Sequence, residues 1–319
     1  SWQRARKEYS KNPSKFLGRP KIPKYKKELS ILGFNNGQVK LKNGYIHFPK
    51  MIGVAPIKTK IPNGSKLGAC RVIPKANHFV VEFSYEVSEI AEKGYNGNAI
   101  GIDLGLNNLA TIVSNTGHSF IVNGKPIKSI NAFYNKRKAE LQRKLVGNKH
   151  SSKRIERLTF KRNNKIKNYI HHVSKFIIKT AEELDITKIV IGNNTNWKQH
   201  ITLGKKSNQN FVSIPHSNLI KTIEYKAKLV GIKVEVTEES YTSKCSAIDL
   251  EPIGKHETYV GKRIRRGLFR TAKGVKVNAD CNGAANILRK VVGDGAYVPD
   301  LILSAVVAPS RINIFENKI

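Results

Sequence analysis

Asn98-Ala99-Ile100-Gly101-Ile102-Asp103-Leu104-Gly105 decides how this chain is read. It is a short apolar strand that ends in a carboxylate, with glycines at 101 and 105 that let backbone or a ligand come close. Leu109-Ala110-Thr111-Ile112-Val113 follows, and Ser119-Phe120-Ile121-Val122 comes after the turn signal Asn115-Thr116-Gly117. Three consecutive strands with tight turns predict an antiparallel meander.

Downstream, the period changes to that of helices. One helix is expected over 127–145. A second is expected over 152–184, with Ile166, Tyr169, Ile170, Val173, Phe176 and Ile177 on one face. A strand at 188–191, a loop rich in Asn, Lys and Gly, a helix from Pro215 to Gly231 and a strand at 232–236 come next. A basic insert spans about 243–277, and a last helix begins near Ala279. This order, three strands and then helix, strand, helix, strand, helix, is that of the RNase H fold: an α/β domain with a mixed sheet, placed at 93–300, with 301–319 as a tail. Upstream, Asn35-Asn36-Gly37 and Asn43-Gly44 separate short strand-like runs over 30–92, which predict a small β-barrel (wedge-like) domain or sandwich. Residues 1–29 are basic and Pro-rich and read as an extended strap.

The 319 residues carry 57 Lys and Arg against 23 Asp and Glu, a net charge of +34. So strong a self-repulsion calls for a polyanionic partner, and nucleic acid is the natural one. With 39% hydrophobic residues the chain can bury a core. No run is apolar enough for a membrane span, and the first residues lack a signal-peptide core. Three well-separated cysteines, Cys70, Cys245 and Cys281, argue against a disulfide framework and fit a reducing cytoplasm. Without any Cys-x-x-Cys pair no zinc is expected.

Hydrolysis of a phosphodiester at two Mg²⁺ ions, about 3.5–4 Å apart, needs several carboxylates in one small space. Asp103 closes the first strand. Asp280 opens the last helix in Asn278-Ala279-Asp280-Cys281-Asn282-Gly283-Ala284-Ala285-Asn286, whose small residues permit close packing on a sheet. Read alone, Asp103 is equally an acid that caps a turn, and Asp280 an ordinary N-cap or first-turn residue.

Taken together these motifs resemble a known family. Gly-Ile-Asp-Leu-Gly-Leu-Asn-Asn-Leu-Ala-Thr at 101–111 resembles the first RuvC motif of TnpB, the insertion-sequence-encoded family long described as a probable transposase. Residues 278–287 resemble its third motif, Tyr241-Thr242-Ser243 its Tyr-Thr-Ser segment, and Asn12-Pro13-Ser14-Lys15-Phe16-Leu17-Gly18-Arg19-Pro20 its N-terminal pattern. Relative to that family the chain starts part-way into the N-terminal region. The resemblance implies a RuvC-like (RNase H-like) nuclease that takes a guide RNA and a double-stranded DNA target. It also implies cleavage with Mg²⁺, or Mn²⁺ in its place, to leave 3′-hydroxyl and 5′-phosphate ends.

Two departures from the family pattern stand out. Where the second motif supplies a Glu after the fourth strand, this chain reads Ile191-Gly192-Asn193-Asn194. Glu238 and Glu239 end the next strand instead. Glu239, three before Thr242 as in rearranged relatives, is the expected third ligand beside Asp103 and Asp280, with Glu238 as the fallback; two solvated acids are the plain alternative. The family's zinc-ribbon cysteines are also missing, and the insert carries a basic run instead. Candidate nucleic-acid contacts are Lys15, Arg19 and Lys21 in the strap; Lys136, Arg137, Arg143 and Lys144 on the first helix; Trp197 and Lys198; and Lys262, Arg263, Arg265 and Arg266 in the insert. Rival readings are a nuclease-dead RNA-guided repressor, a transposase or transposase accessory protein, and a general RNA binder with a relic nuclease fold.

Overall fold

A computed structural model describes residues 2–22, 24, 29–75, 78–88, 90–194 and 214–315. The chain forms two compact units, Ser1–Ser88 and Glu89–Ile319.

The first unit opens with helix α1 (Trp2–Lys11). This corrects the extended strap: the prolines begin at Pro13, after the helix has ended, so nothing in Trp2–Lys11 breaks it. Six strands follow: β1 (Leu32–Phe34), β2 (Lys40–Lys42), β3 (Tyr45–His47), β4 (Ile57–Lys58), β5 (Leu67–Lys75) and β6 (His78–Tyr85). They form two antiparallel sheets, ordered β1-β5-β6 and β2-β3-β4. Phe34, Val39, Ile46 and Cys70 are buried together, with the Phe48 ring 5.5 Å from Phe34. Two sheets thus share one apolar core. Among the described residues no strand pairing joins their edges, so of the barrel and sandwich expected for 30–92 the arrangement is that of two sheets on one core and not a closed barrel.

The second unit is built on a six-stranded mixed sheet. Strands β7 (Ala99–Leu104), β8 (Asn108–Ser114) and β9 (Ser119–Asn123) form the expected meander. After helices α2 (Lys125–Gln142) and α3 (Lys153–Glu183), strand β10 (Lys188–Gly192) pairs parallel with β7. Helix α4 (His216–Lys228) then returns the chain to β11 (Lys233–Thr237), parallel to β10. The hairpin strands β12 (Lys262–Arg265), β13 (Leu268–Arg270) and β14 (Lys276–Asn278) make a small antiparallel sheet leading directly into α5 (Ala279–Val292). Helix α6 (Pro299–Val307) and strand β15 (Ser310–Ile312) follow, so the segment expected as a tail adds an edge strand parallel to β9. The order β11-β10-β7-β8-β9-β15 contains the RNase H arrangement with β15 added. Among the described residues no helix is long and apolar enough to cross a membrane.

Side chains alternate across a strand, and β7 uses both faces. Ile100 and Ile102 join the cluster that includes Tyr169, Val173 and Ile177 of α3 and Ile223 of α4. Ala99 joins the opposite cluster with Ala284, Ala285, Ile287 and Leu288 of α5. Gly101 is required on this second face: a Cβ there would lie 2.3 Å from the Ala284 carbonyl oxygen. The same alternation sends Asp103 toward α5.

In the insert, buried polar groups tie the backbone. The Glu251 carboxylate accepts from the backbone N–H of Ser246 (2.6 Å) and Val260 (2.8 Å). Asn282 of α5 donates to the Cys245 carbonyl at 2.8 Å, and Cys245 and Cys281 are buried free thiols.

Candidate nuclease site

Asp103 lies at the end of β7 and packs against α5, where a Cβ on Gly283 would stand 3.1 Å from its Oδ2. A side chain on the helix at that point would fill the space the carboxylate uses. Among the described residues Asp103 accepts no hydrogen bond, so it is not capping its own turn. Burial holds its carboxyl well above the usual carboxylate range, and the nearby charges of Glu239 and Asp280 push the same way; Arg263 opposes them. Asp103 thus lies within electrostatic reach of both other sequence-predicted acids, although Asp280 is far from it in the chain.

Asp280 sits in the first turn of α5. The cap is Asn278, whose side chain accepts from the N–H of Asp280 (3.0 Å) and of Cys281 (3.1 Å). Asp280 is therefore free of capping duty. One carboxylate oxygen accepts from the Asn108 amide at 2.6 Å, and the other faces the Arg263 guanidinium at 3.6 Å. Arg263 gets there because β14 runs straight into α5, which tethers the hairpin to the helix start.

Glu238 and Glu239 go opposite ways. Glu238 is exposed. It accepts from the Ser240 N–H (2.8 Å) and hydroxyl and pairs with Lys290 at 3.3 Å; these contacts lower its carboxyl, the Ser240 hydroxyl most of all. Glu239 turns inward. Its Oε1 accepts from the Asn194 amide at 3.0 Å, and its Oε2 would stand 3.1 Å from a Cβ on Gly192. Burial, then the charge of Glu238, raises its carboxyl, with Lys290 opposing. The turn behind it is pinned twice. Thr242 donates its hydroxyl to the Glu239 carbonyl at 2.7 Å, and Lys290 donates to the carbonyls of Glu238 (2.8 Å) and Ser240 (3.0 Å). The carboxylate that the fourth strand does not carry is thus delivered over the end of that strand, β10, from the turn after β11.

Among the described residues no three His, Cys, Asp or Glu side chains stand close enough, as placed, to hold one metal ion. The donor set is nonetheless all oxygen, with the carboxyls of Asp103 and Glu239 raised first by burial and then by neighbouring acids, which a divalent cation would relieve; that chemistry suits Mg²⁺.

The basic candidates are dispersed. Lys15, Arg19 and Lys21 are exposed in the first unit. Lys136, Arg137, Arg143 and Lys144 are exposed on or just after α2, with Arg137 paired to Glu140 at 2.5 Å. Lys262, Arg265 and Arg266 are exposed on the hairpin, where only Arg263 of the four reaches the acids. Trp197 and Lys198 lie outside the described residues. Sequence reading missed Asn108, Asn194 and Lys290 as partners of the acids. Asn108 stands inside the 101–111 motif, and Asn194 in the stretch noted for lacking an acid.

A family model described as "Probable transposase" (OrfB_IS605) matches residues 82–198, and one for the Cas12f1-like TNB domain matches residues 216–287. TnpB-like protein ORF457 of Acidianus two-tailed virus is 31% identical over 228 residues, 68% of this chain and 47% of that protein. The CRISPR-associated endodeoxyribonuclease Cas12f2 of a Micrarchaeota archaeon is 26% identical over 302 residues, 88% of this chain and 52% of that one. A TnpB-like protein of Methanocaldococcus jannaschii is 31% identical over 136 residues, 40% and 48% of the two chains. The chain spans about half the length of these curated relatives. A cryo-EM structure of a Cas12f1–sgRNA–target DNA complex superposes with a TM-score of 0.54 at 17% identity, over 81% of this chain and 59% of that one, a likeness of fold. On these matches, and on the order of its motifs, the chain belongs to the TnpB family.

Proposed function

We propose that this chain is the nuclease part of an RNA-guided, metal-dependent DNA endonuclease of the TnpB type, encoded with a transposable element. What supports the reading is that Asp103, from a strand end, packs on α5 at Gly283, one turn past Asp280 at the helix start, that Glu239 turns in over the end of β10, and that the charges of Glu239 and Asp280 both reach Asp103. The relatives named as TnpB-like proteins and as a CRISPR-associated endodeoxyribonuclease support the class.

Asp103, Glu239 and Asp280 would hold Mg²⁺, with Mn²⁺ as a substitute. When bound, two such ions activate a water for attack and stabilise the leaving oxygen. Asn108 and Asn194 orient Asp280 and Glu239 through one amide each, leaving their remaining oxygens for ligation. Lys290 and Thr242 fix the turn that aims Glu239. Arg263, 3.6 Å from Asp280, would be released to face a strand phosphate if that carboxylate held a metal. Guide pairing would choose the target, with the protein reading a short flanking motif.

One observation favours a second reading, an RNA-guided DNA binder that does not cut: β10 ends in Gly192 and is followed by Asn193 and Asn194, with no acid of its own. DNA cleavage by the protein purified with its co-expressed RNA decides between the two. The proposal predicts cutting in Mg²⁺, none in EDTA, and a loss of at least about a thousandfold in Asp103→Ala, equivalent to several kcal/mol of transition-state stabilisation. Tight RNA-dependent DNA binding without cutting would establish the second reading.

A further inference from the structure

The catalytic acids lie on the α5 side of the sheet. The other side is covered by α2, α3 and α4, and this helical layer has a groove that the nuclease reading leaves unused. It runs between α2 and α3, has a volume of about 340 Å³, and is lined by Ile130, Phe133, Leu158, Lys161, Arg162 and Lys165. Phe133 stands 66% exposed on its rim, and among the described residues its ring meets no other aromatic. Exposed apolar side chains occur elsewhere in the chain; what sets Phe133 apart is its place on the rim of a groove between two basic helices.

Its surroundings say what fits there. Lys161 and Lys165, one turn apart on α3, are exposed, and among the described residues neither has an ion-pair partner. Lys136 and Arg137 flank Phe133 at the three- and four-residue spacing that puts them on the same face of α2. Beside the groove Tyr134 is held by the Arg162 guanidinium, 5.5 Å from its ring, while Arg162 itself donates to Asn131 at 2.8 Å. The groove wall is thus preset, whereas Phe133 and the two lysines are left to a partner. A flat apolar ring between cations spaced along two helices complements a single nucleic-acid strand: a base on the ring, phosphates on the lysines. It does not complement an apolar peptide, which would leave the lysines uncompensated, nor a duplex, whose bases are stacked inward.

We propose that the α2–α3 groove is a stacking subsite in which Phe133 holds an unpaired base of bound RNA, with Lys161 and Lys165 on the adjoining phosphates. The inference rests on the RNA-guided reading above in one respect. The groove lies in the layer on the face of the sheet opposite α5, so a strand held there would be retained rather than presented to Asp103, as a guide must be.

The test is binding of a short adenine-rich single-stranded RNA carrying 2-aminopurine to the full chain, read by the quenching of the probe, with a blunt RNA duplex of the same sequence as contrast. The parent protein quenches the single-stranded probe. Phe133→Ala weakens binding about 5- to 150-fold and removes the quenching without changing the salt dependence, and Phe133→Trp restores both. Lys161→Ala with Lys165→Ala keeps the quenching at saturation but lowers the slope of log K against log salt by about 1.4. Thermal melting of each variant checks that it is folded, as expected for exposed positions. Phe133→Ala that binds and quenches like the parent overturns the proposal. So does Phe133→Ala that turns a dimer into a monomer by size-exclusion chromatography, which assigns the face to a second copy. A parent that binds neither this probe nor its co-expressed RNA overturns both the subsite and the RNA-guided reading, whereas failure to bind the probe alone, or binding insensitive to Phe133, overturns only the subsite.

Discussion

The two faces of β7 do different work with alternate residues of one short strand. Ile100 and Ile102 enter an apolar layer closed by α3 and α4. Ala99, Gly101 and Asp103 meet α5, where the contact begins with a methyl group, continues with bare backbone and ends in a carboxylate. The first face is made stable by volume. The second is made close by the absence of volume, and that closeness is what carries the Asp280 end of α5 up to Asp103. It teaches that Gly101 is there for helix approach, whereas Gly105, on the other side of the acid, keeps clear of the Asn108 carbonyl of its own turn.

Adding volume breaks the second face most severely. Gly101→Val forces a Cβ into the Ala284 carbonyl, where backbone rather than a flexible side chain must yield, and should cost about 3 kcal/mol or more. Ile102→Val, one residue along and on the other face, should cost about 1 kcal/mol. Denaturant melts of the two variants check the contrast. Equal losses would mean that the faces are packed alike.

A smaller effect of opposite sign comes from the acid itself. Because burial and neighbouring charges raise the Asp103 carboxyl, the native state binds more protons than the unfolded state over the window from the ordinary carboxylate range upward. Stability therefore falls as pH rises through that window, and it is lowest once Asp103 is ionised. Asp103→Asn should raise the melting temperature in EDTA at neutral pH by a few degrees, at about 2–4 °C per kcal/mol for a unit of this size. It should raise it by little near pH 4, where the native acid is neutral already. Melting curves at the two pH values test this, and an unchanged or lowered Tm at neutral pH would show that Asp103 is stabilised where it stands.

Much of this was legible in the residues. The meander could be read because β7, β8 and β9 combine apolar runs with the Asn115-Thr116-Gly117 turn, and α3 because its apolar residues repeat at helical spacing. Asp103 and Asp280 were legible because each sits in a motif. What sets their geometry was not: Asn108 reaches Asp280 across 172 positions and Asn194 reaches Glu239 across 45, and such side-chain partnerships leave no local pattern. Likewise, Ser310–Ile312 is too short to show a period and becomes a strand only because the edge of β9 is open to it. Closure of the first unit into a barrel depended on edge pairings that alternation cannot report. The spacing from Thr242 favours Glu239 over Glu238, but the contacts that separate the two, Lys290 and Ser240 on Glu238 and Asn194 on Glu239, leave no local pattern.

That choice is the centre of the account. Calorimetric titration of Mg²⁺ into Glu239→Gln and Glu238→Gln, each followed by the cleavage assay, tests it most directly. The account predicts that Glu239→Gln loses tight Mg²⁺ binding and cutting together, while Glu238→Gln keeps both to within a few-fold, as an exposed residue paired to Lys290 should. Full activity in Glu239→Gln, or its loss in Glu238→Gln alone, would contradict the relocation of the third acid to Glu239.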